Sequence, residues 1–341
     1  MTFLLIGLLL ICLWRIRIVG FDAECLSPGR ATAIKGVFTF LILFSHMRGY
    51  ISLSDDWTNS IYFRVQDHLG QLIVAMFLFY SGYGIWESFR NKVHYEKNFF
   101  QKRFLKILLH FDIAIALFIL VQLLLPVFYP ARNYLLCWVG WEDVGNSNWF
   151  VFIILCLYLI ALAAMFFQRR FNHGGIALTI ALCAVLWIAV RLWAGKGTWW
   201  VDTMATFPLG MLFSDQKSAF FSLMRHRFAP YILTAVVLML YFAAHKLVGV
   251  DVYGVVACLF CCLVVLFSSW IRIGNPILDW AGQNAFTIYI IQRLPMLVFS
   301  FYGLNASPAL FILAVLPVTF LMAESLTRLY AKIDMKLFAH A

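Results

Sequence analysis

Charged residues are scarce in this chain, because Asp, Glu, Lys and Arg make up only 12% of its 341 residues. A typical soluble domain carries about 25% charged residues, so half of the usual charge is missing. Apolar residues make up 63% of the chain, and its mean hydropathy is +0.87. This composition excludes soluble, secreted, fibrous and disordered proteins and predicts a polytopic membrane protein.

The sequence also lacks a disulfide framework and a metal-binding motif. Most of its eight Cys residues lie inside apolar runs, where they have no pattern of paired spacings. Cys258, Cys261 and Cys262 have the spacing of metal ligands, but no His or carboxylate lies beside them. We therefore interpret these cysteines as packing residues and expect no metal site.

Long apolar runs are what the sequence has instead. Runs able to cross ~30 Å of hydrocarbon occur eleven times and predict an all-α bundle of about 10–11 transmembrane helices. The bundle forms one transmembrane domain over residues 1–341, without a soluble domain. The first helix is the weakest, because Arg15 and Arg17 interrupt it. The predicted helices span residues 2–19, 33–50, 69–86, 107–129, 148–167, 174–193, 199–213, 228–245, 252–270, 280–300 and 308–330.

The positive charges predict the orientation of these helices. Lys and Arg are concentrated in the cytoplasmic loops of membrane proteins. With residues 15–35 placed inside, alternate loops bring 19 of the 26 Lys and Arg residues to the cytoplasm. We therefore place the N-terminus outside and the C-terminus in the cytoplasm. The net charge of +10 is then explained by topology, and we expect the lipid bilayer, not nucleic acid, as the partner of these charges.

Two ionisable residues lie on one face of the second predicted helix. Lys35 and His46 are eleven residues apart, so their side chains differ by only ~20° around the axis and by ~16 Å along it. Ionisable residues inside a membrane are functional candidates by default. A basic group at the cytoplasmic end and an imidazole nearer the outer leaflet suit a reaction that reaches through the membrane. The alternative interpretation is a flanking anchor and an interfacial histidine.

A basic segment with interleaved aromatic residues precedes the fourth predicted helix. Its cations suit the phosphates of a nucleotide-like donor. They serve equally well as a topology determinant and a lipid headgroup anchor. The candidate donor-binding residues are Lys97, Lys102, Arg103 and Lys106.

Candidate contacts for a second substrate lie toward the outer side. Carboxylates next to an aromatic face suit sugar binding, although interface anchoring explains Trp57 equally well. Arg293 lies near mid-membrane and needs a partner, for which Asp202 and Glu324 are the candidates. The candidate substrate-binding residues are Asp55, Asp56, Trp57, Trp149 and Arg293.

These segments, in this order, resemble the acyltransferase-3 family of integral membrane acyltransferases. The resemblance covers roughly residues 30–330. Thr32 stands where the family often has Asp, and Gln292 stands where a His commonly ends the late helix. Lys35 replaces the Arg that precedes the family's His by eleven positions, which keeps the charge but loses bidentate geometry. The matching segments are Lys35-Gly36 through His46, Ser81-Gly82-Tyr83, Lys102-Arg103 with Lys106, Asn148-Trp149-Phe150, Phe207 to Gly210, and Ala281 to Tyr289.

The resemblance implies an acyl transfer in the bacterial plasma membrane. The donor is cytoplasmic acyl-CoA, most often acetyl-CoA, which is consumed and is not a permanently bound cofactor. The acceptor is a hydroxyl of a surface glycan or lipid-linked sugar. The basic segment would hold the donor phosphates, with the pantetheine arm along the Lys35–His46 stripe. His46 would act as general base or would itself receive the acyl group.

Two other classes of function remain open at this point. A carrier for a lipid-linked sugar or a small solute would also use many helices with scattered polar residues, but it has no need of the Lys35–His46 stripe. A noncatalytic scaffold of an envelope complex would tolerate loss of His46. The sequence also leaves open whether a separate extracytoplasmic protein partner completes the transfer.

Overall fold

The computed structural model describes residues 1–54, 56–247 and 252–338. Over these ranges the chain is a bundle of α-helices joined by short connections. The α-helices are α1 (Thr2–Leu13), α2 (Pro28–Met47), α3 (Trp57–Leu69), α4 (Leu72–Asn91), α5 (Lys106–Leu124), α6 (Ala131–Leu136), α7 (Trp149–Phe171), α8 (Gly175–Ile188), α9 (Thr206–Met224), α10 (Ala229–Lys246), α11 (Tyr253–Ser268), α12 (Pro276–Gln283), α13 (Ala285–Ile291), α14 (Arg293–Phe301) and α15 (Pro308–Leu337). Short 3₁₀ segments at Tyr95–Asn98, Cys137–Val139, Thr198–Trp200 and Leu304–Ala306, and π-helical segments at Phe100–Leu105 and Ala189–Trp193, complete the helical structure.

Several helices are long and apolar enough to cross a membrane. This confirms the prediction of an all-α polytopic membrane protein, whereas the orientation of the termini stays a prediction. Within the described ranges there are six such helices: Leu72–Asn91, Phe100–Leu124, Trp149–Phe171, Gly175–Trp193, Ala229–Lys246 and Pro308–Leu337. Shorter apolar helical stretches lie at Thr2–Leu13, Tyr253–Ser268 and Ala285–Phe301.

Reciprocal glycine contacts hold the two closest helix pairs together. A Cβ atom on Gly36 of α2 would overlap the backbone carbonyl of Leu278 on α12, and one on Gly282 would overlap that of Thr32. The pair α4 and α9 has the same arrangement, with Gly82 against the carbonyl of Phe207 and Gly210 against that of Phe79. Small residues allow such close backbone approach between membrane helices. The glycines thereby fix how α2 lies against α12.

A buried arginine joins the start of α2 to the end of α11. Arg30 is 8% exposed, pairs with Asp22 at 3.1 Å and donates to the carbonyl of Ser268 at 2.8 Å. Next to it, β1 (Arg17–Ile18) and β2 (Ile271–Arg272) form a two-residue antiparallel ladder. Neither strand is predicted from the sequence, because two residues carry no periodicity.

Several helix boundaries differ from the prediction, and the helix predicted over residues 199–213 lies at Thr206–Met224. The helix predicted over residues 2–19 ends at Leu13, and Arg15 adopts a positive φ of 64°. With 12 residues, α1 is ~18 Å long, which is short for a hydrocarbon core of ~30 Å. The helix predicted over residues 280–300 is instead divided into α12, α13 and α14. Asn284 donates its side-chain amide to the carbonyl of Trp280, and Pro295 lacks the N–H that a continuous helix needs.

The outer hydrophilic stretch contains a helix that the sequence pattern did not reveal. α3 follows Asp56, whose carboxylate accepts hydrogen bonds from the backbone N–H groups of Thr58 and Asn59. Hydrogen bonds from the Thr58 and Ser54 hydroxyls, together with those backbone N–H groups, hold the pKa of Asp56 below its usual value. Tyr62 is fully buried and donates to the Phe44 carbonyl at 2.8 Å. The stretch is therefore a polar helix that packs on α2.

Candidate functional site

One face of α2 runs along two adjoining cavities. Lys35 lines a lower cavity of about 1470 Å³, and the next residues on the same face, Thr39 and Ile42, line an upper cavity of about 420 Å³. The two cavities share lining residues, so they are neighbours along the helix. His46 lies one further turn along α2, beyond Ile42. The shared residues are Phe77, Phe150, Ala285 and Phe286.

The lower cavity is basic. Arg103 and Lys106 line it together with Lys35. Both also line a third cavity of about 1430 Å³, which Lys102 joins. Arg103 belongs to the π-helical segment Phe100–Leu105, a geometry often found at functional sites. The structure therefore brings together three of the four predicted donor-binding residues, Lys102, Arg103 and Lys106. The fourth, Lys97, is exposed and lines neither cavity.

An acidic residue faces these cations in the lower cavity. Asp334 lies 2.6 Å from Lys106 Nζ and 2.9 Å from His110 Nε2. The ring of Tyr330 stacks on that of His110 at 4.1 Å, and its hydroxyl donates to the His110 carbonyl at 3.0 Å. The sequence pattern did not reveal this group, because α5 and α15 are distant in the chain. The only signal was the presence of a His and an Asp in largely apolar helices.

His46 lies in a polar cluster at the other end of the α2 face. Its ring is 6.1 Å from that of Tyr289, and it faces Gln292 and Arg293. The Nδ1 atom is buried and has no hydrogen-bond partner among the described residues. An imidazole nitrogen without a partner is available to accept a proton from a bound group.

Other buried polar atoms around His46 also lack partners within the described ranges. Gln292 is fully buried and lines the upper cavity, and its amide oxygen accepts no hydrogen bond. Native proteins pair nearly all buried polar groups with protein or water, so this cluster has the capacity to bind water or a polar ligand. The unpaired atoms are Asn146 Nδ2, Ser147 Oγ, Tyr289 Oη, Gln292 Oε1 and Arg293 Nε.

Arg293 pairs with neither carboxylate that the sequence suggested. Glu324 accepts from Trp280 Nε1 at 2.9 Å and from Arg328 Nε at 2.8 Å. Asp202 lies before α9, where burial raises the pKa of its carboxyl group. In the described part of the chain, Arg293 forms no ion pair at the N···O limit of 4.0 Å.

The remaining candidates for substrate contact lie apart from the cavities along α2. Asp56 caps α3, and Trp57 is 81% exposed, while neither lines the lower or the upper cavity. Asp55 lies outside the described residues. Trp149 begins α7, and its ring packs against Phe150, which in turn contacts the Tyr289 ring at 5.3 Å. Among the candidates that the structure describes, Trp149 and Arg293 are therefore the two close to the His46 cluster.

Comparison with known proteins yields a family match over most of the chain. The family model for acyltransferase 3, described as an acyltransferase domain, matches residues 31–327. The matched range contains Lys35, His46 and Arg293, whereas Asp334 lies just beyond it. No curated protein and no solved structure matches the chain significantly.

Proposed function

The chain belongs to the acyltransferase-3 family, and from this membership we propose that it transfers an acetyl group from acetyl-CoA to a hydroxyl of an extracytoplasmic glycan. Its family and the six long apolar helices among its described residues make it a multi-pass membrane acyltransferase. The CoA donor, the acetyl group, the glycan acceptor and the bacterial plasma membrane are the parts that we propose.

The series of cavities along α2 is the observation that carries this proposal. A CoA thioester has an anionic nucleotide end and a long, thin pantetheine arm that ends in the thioester. The lower cavity offers Lys35, Arg103 and Lys106 to the anionic end. The smaller upper cavity is lined by Thr39 and Ile42, which lie between Lys35 and His46 along α2. A rise of ~16 Å over these eleven residues suits an extended arm.

The proposed orientation agrees with the charge distribution. The cations of the lower cavity come from segments that the excess of Lys and Arg assigns to the cytoplasm. The His46 cluster is at the opposite end of α2, which the same rule assigns to the outer side. A cytoplasmic donor and an outer acceptor would then meet at the upper end of the cavities.

The chemistry that we propose at His46 is general-base catalysis. The imidazole takes the proton of the acceptor hydroxyl while the hydroxyl oxygen attacks the thioester carbonyl carbon. The C–O bond forms, the C–S bond breaks, and the CoA thiolate leaves with the proton that His46 returns. In the alternative route, the imidazole attacks first and carries the acyl group. Trapping a labelled acyl-enzyme after adding radiolabelled acetyl-CoA without acceptor would favour that route.

We place the acceptor near Trp149 and Arg293, because both are close to the His46 cluster. Asp56 has a sufficient explanation as the cap of α3, and Trp57 as an exposed aromatic residue at the membrane interface. The proposal includes a bilayer environment and allows a separate extracytoplasmic protein to complete the transfer.

The experiment that tests the proposal separates an enzyme from a carrier. Purified protein in liposomes receives acetyl-CoA labelled in the acetyl group, with lipid-linked oligosaccharides extracted from the cell envelope as acceptor. We expect release of free CoA together with label in the oligosaccharide. Uptake of the oligosaccharide without release of CoA would instead indicate a carrier. Absence of both would contradict the proposed substrates.

A further inference from the structure

Arg293 is a half-buried cation that no acidic side chain neutralises in the described part of the chain. Its Nε atom is buried and unpaired, and it forms no ion pair at the N···O limit of 4.0 Å. Burying an arginine without a counter-ion is costly in a protein interior and inside a membrane. Arg30, which is buried, is by contrast paired with Asp22 at 3.1 Å. The unpaired Nε–H is therefore available to donate to an anionic oxygen of a substrate.

The position of Arg293 links that anion to His46. Gln292 and Arg293 form the junction of α13 and α14. Gln292 lines the upper cavity together with Tyr289, whose ring is 6.1 Å from that of His46. Burial raises the pKa of Tyr50, just beyond α2, and the Arg293 charge opposes that increase. Burial also raises the pKa of Tyr129, and the charge of Arg293 again opposes the increase. The guanidinium thus lies at the end of α2 that carries His46, far from the basic lower cavity.

No side chain in the described part of the chain accepts a hydrogen bond from the Arg293 Nε–H. The nearby polar side chains Ser147, Tyr289 and Gln292 all have unpaired atoms themselves. The negative charge of Asp143 also raises the pKa of Tyr50 and of Tyr129. Within the described residues, however, Asp143 forms no ion pair with Arg293.

From this geometry we infer that Arg293 is a catalytic residue, whose guanidinium stabilises the oxyanion of the tetrahedral intermediate. The inference rests on the proposed acyl transfer. As the acceptor oxygen bonds to the thioester carbon, the π electron pair of the carbonyl moves onto its oxygen. The Arg293 N–H group donates a hydrogen bond to that negative oxygen. When the intermediate collapses, the electron pair re-forms the carbonyl and the C–S bond breaks, so the guanidinium returns unchanged.

The effect of this residue is expected in the chemical step. Removing one oxyanion donor lowers kcat by roughly 100- to 1000-fold in enzymes that use such a site. Because the charge develops only in the transition state, donor and acceptor affinities should change little. A structural cation or a substrate-binding cation would give a different pattern.

The test compares Arg293→Met, Arg293→Lys and Arg293→Ala in liposomes with acetyl-CoA and the envelope oligosaccharides. For Arg293→Met we expect kcat to fall about 100-fold or more, with the KM for acetyl-CoA within about threefold of wild type. Arg293→Lys should retain part of kcat. Added guanidinium should restore activity to Arg293→Ala, which a purely structural role would not allow. Arg328→Met, which removes an exposed arginine paired with Glu324, is the matched control and should keep wild-type kinetics.

The outcomes separate this inference from the proposed function. If wild-type protein transfers acetyl groups and Arg293→Met keeps its kcat, the oxyanion role is wrong although the enzyme is real. A rise in acceptor KM at constant kcat would also overturn it and would make Arg293 a binding residue. Failure of wild-type protein to release CoA would count against the proposed function itself. A thermal unfolding curve of each variant in detergent verifies that it is folded.

Discussion

Removing the charge of Asp334 should strengthen donor binding, because this carboxylate competes with the donor for Lys106. It lies 2.6 Å from Lys106 Nζ, in the cavity that also contains Lys35 and Arg103. A phosphate held by Lys106 would lie ~5 Å from the carboxylate. Two unit charges at that separation repel each other by ~0.8 kcal/mol at a dielectric constant of about 80 and by ~3 kcal/mol at about 20.

The expected size of the effect follows from the openness of the cavity to solvent. The Lys106 side chain is 40% exposed, so we take the lower part of that range, ~1–2 kcal/mol. For Asp334→Asn this corresponds to a KM for acetyl-CoA that is roughly 5- to 30-fold lower than that of wild type. The amide of Asn retains an oxygen that can accept from His110, so the contact between α5 and α15 should persist.

The assay is CoA release from acetyl-CoA at varied donor concentration and saturating acceptor. Lys106→Met should raise the KM for acetyl-CoA, opposite to Asp334→Asn. Glu324→Gln removes a carboxylate from the same helix that is paired with Arg328, and it should leave the KM unchanged. An unchanged or higher KM in Asp334→Asn would refute the assignment of the lower cavity to the donor phosphates.

Two further predictions concern the framework of the site. Gly36→Ala adds a methyl group against the Leu278 carbonyl and should lower the free energy of unfolding by about 1–3 kcal/mol, which is measured as a lower Tm in detergent. In the control Gly29→Ala, on the same helix, the added methyl group meets no atom within 4 Å, so the Tm should equal that of wild type. Equal Tm values for the two variants would contradict the close packing of α2 on α12. Asp56→Asn should retain the cap of α3 and wild-type activity, whereas Asp56→Ala should speed amide hydrogen exchange over residues 57–69. A change in acceptor KM for Asp56→Asn would return that residue to the acceptor site.

Local periodicity explains which parts of the structure the sequence could predict. Helix type is encoded in long apolar runs, so the polytopic all-α fold follows from them. The Lys35–His46 stripe lies within one helix, and 100° per residue suffices to place both side chains. The π-helical segment that contains Arg103 departs from 100° per residue, but it still lies just before the predicted start of the fourth helix.

Features built from distant segments could not be predicted in this way. The contact of His110 with Asp334 joins α5 to α15 across 224 residues, and no pattern in a single sequence encodes that meeting. The break between α13 and α14, which directs Arg293 toward His46, depends on Pro295 and on local hydrogen bonds within an otherwise apolar run. The apolar runs do not predict α3, because most of its residues are polar and only one face, around Tyr62, is buried.

The central claim is that His46 performs the acyl transfer, and its substitution tests that claim most directly. The measurement is transfer of labelled acetyl from acetyl-CoA to envelope oligosaccharides in liposomes containing His46→Ala, with insertion and folding verified by the Tm. The account predicts that transfer is abolished while acetyl-CoA still binds to the lower cavity. Transfer at the wild-type rate by a folded His46→Ala protein would contradict it.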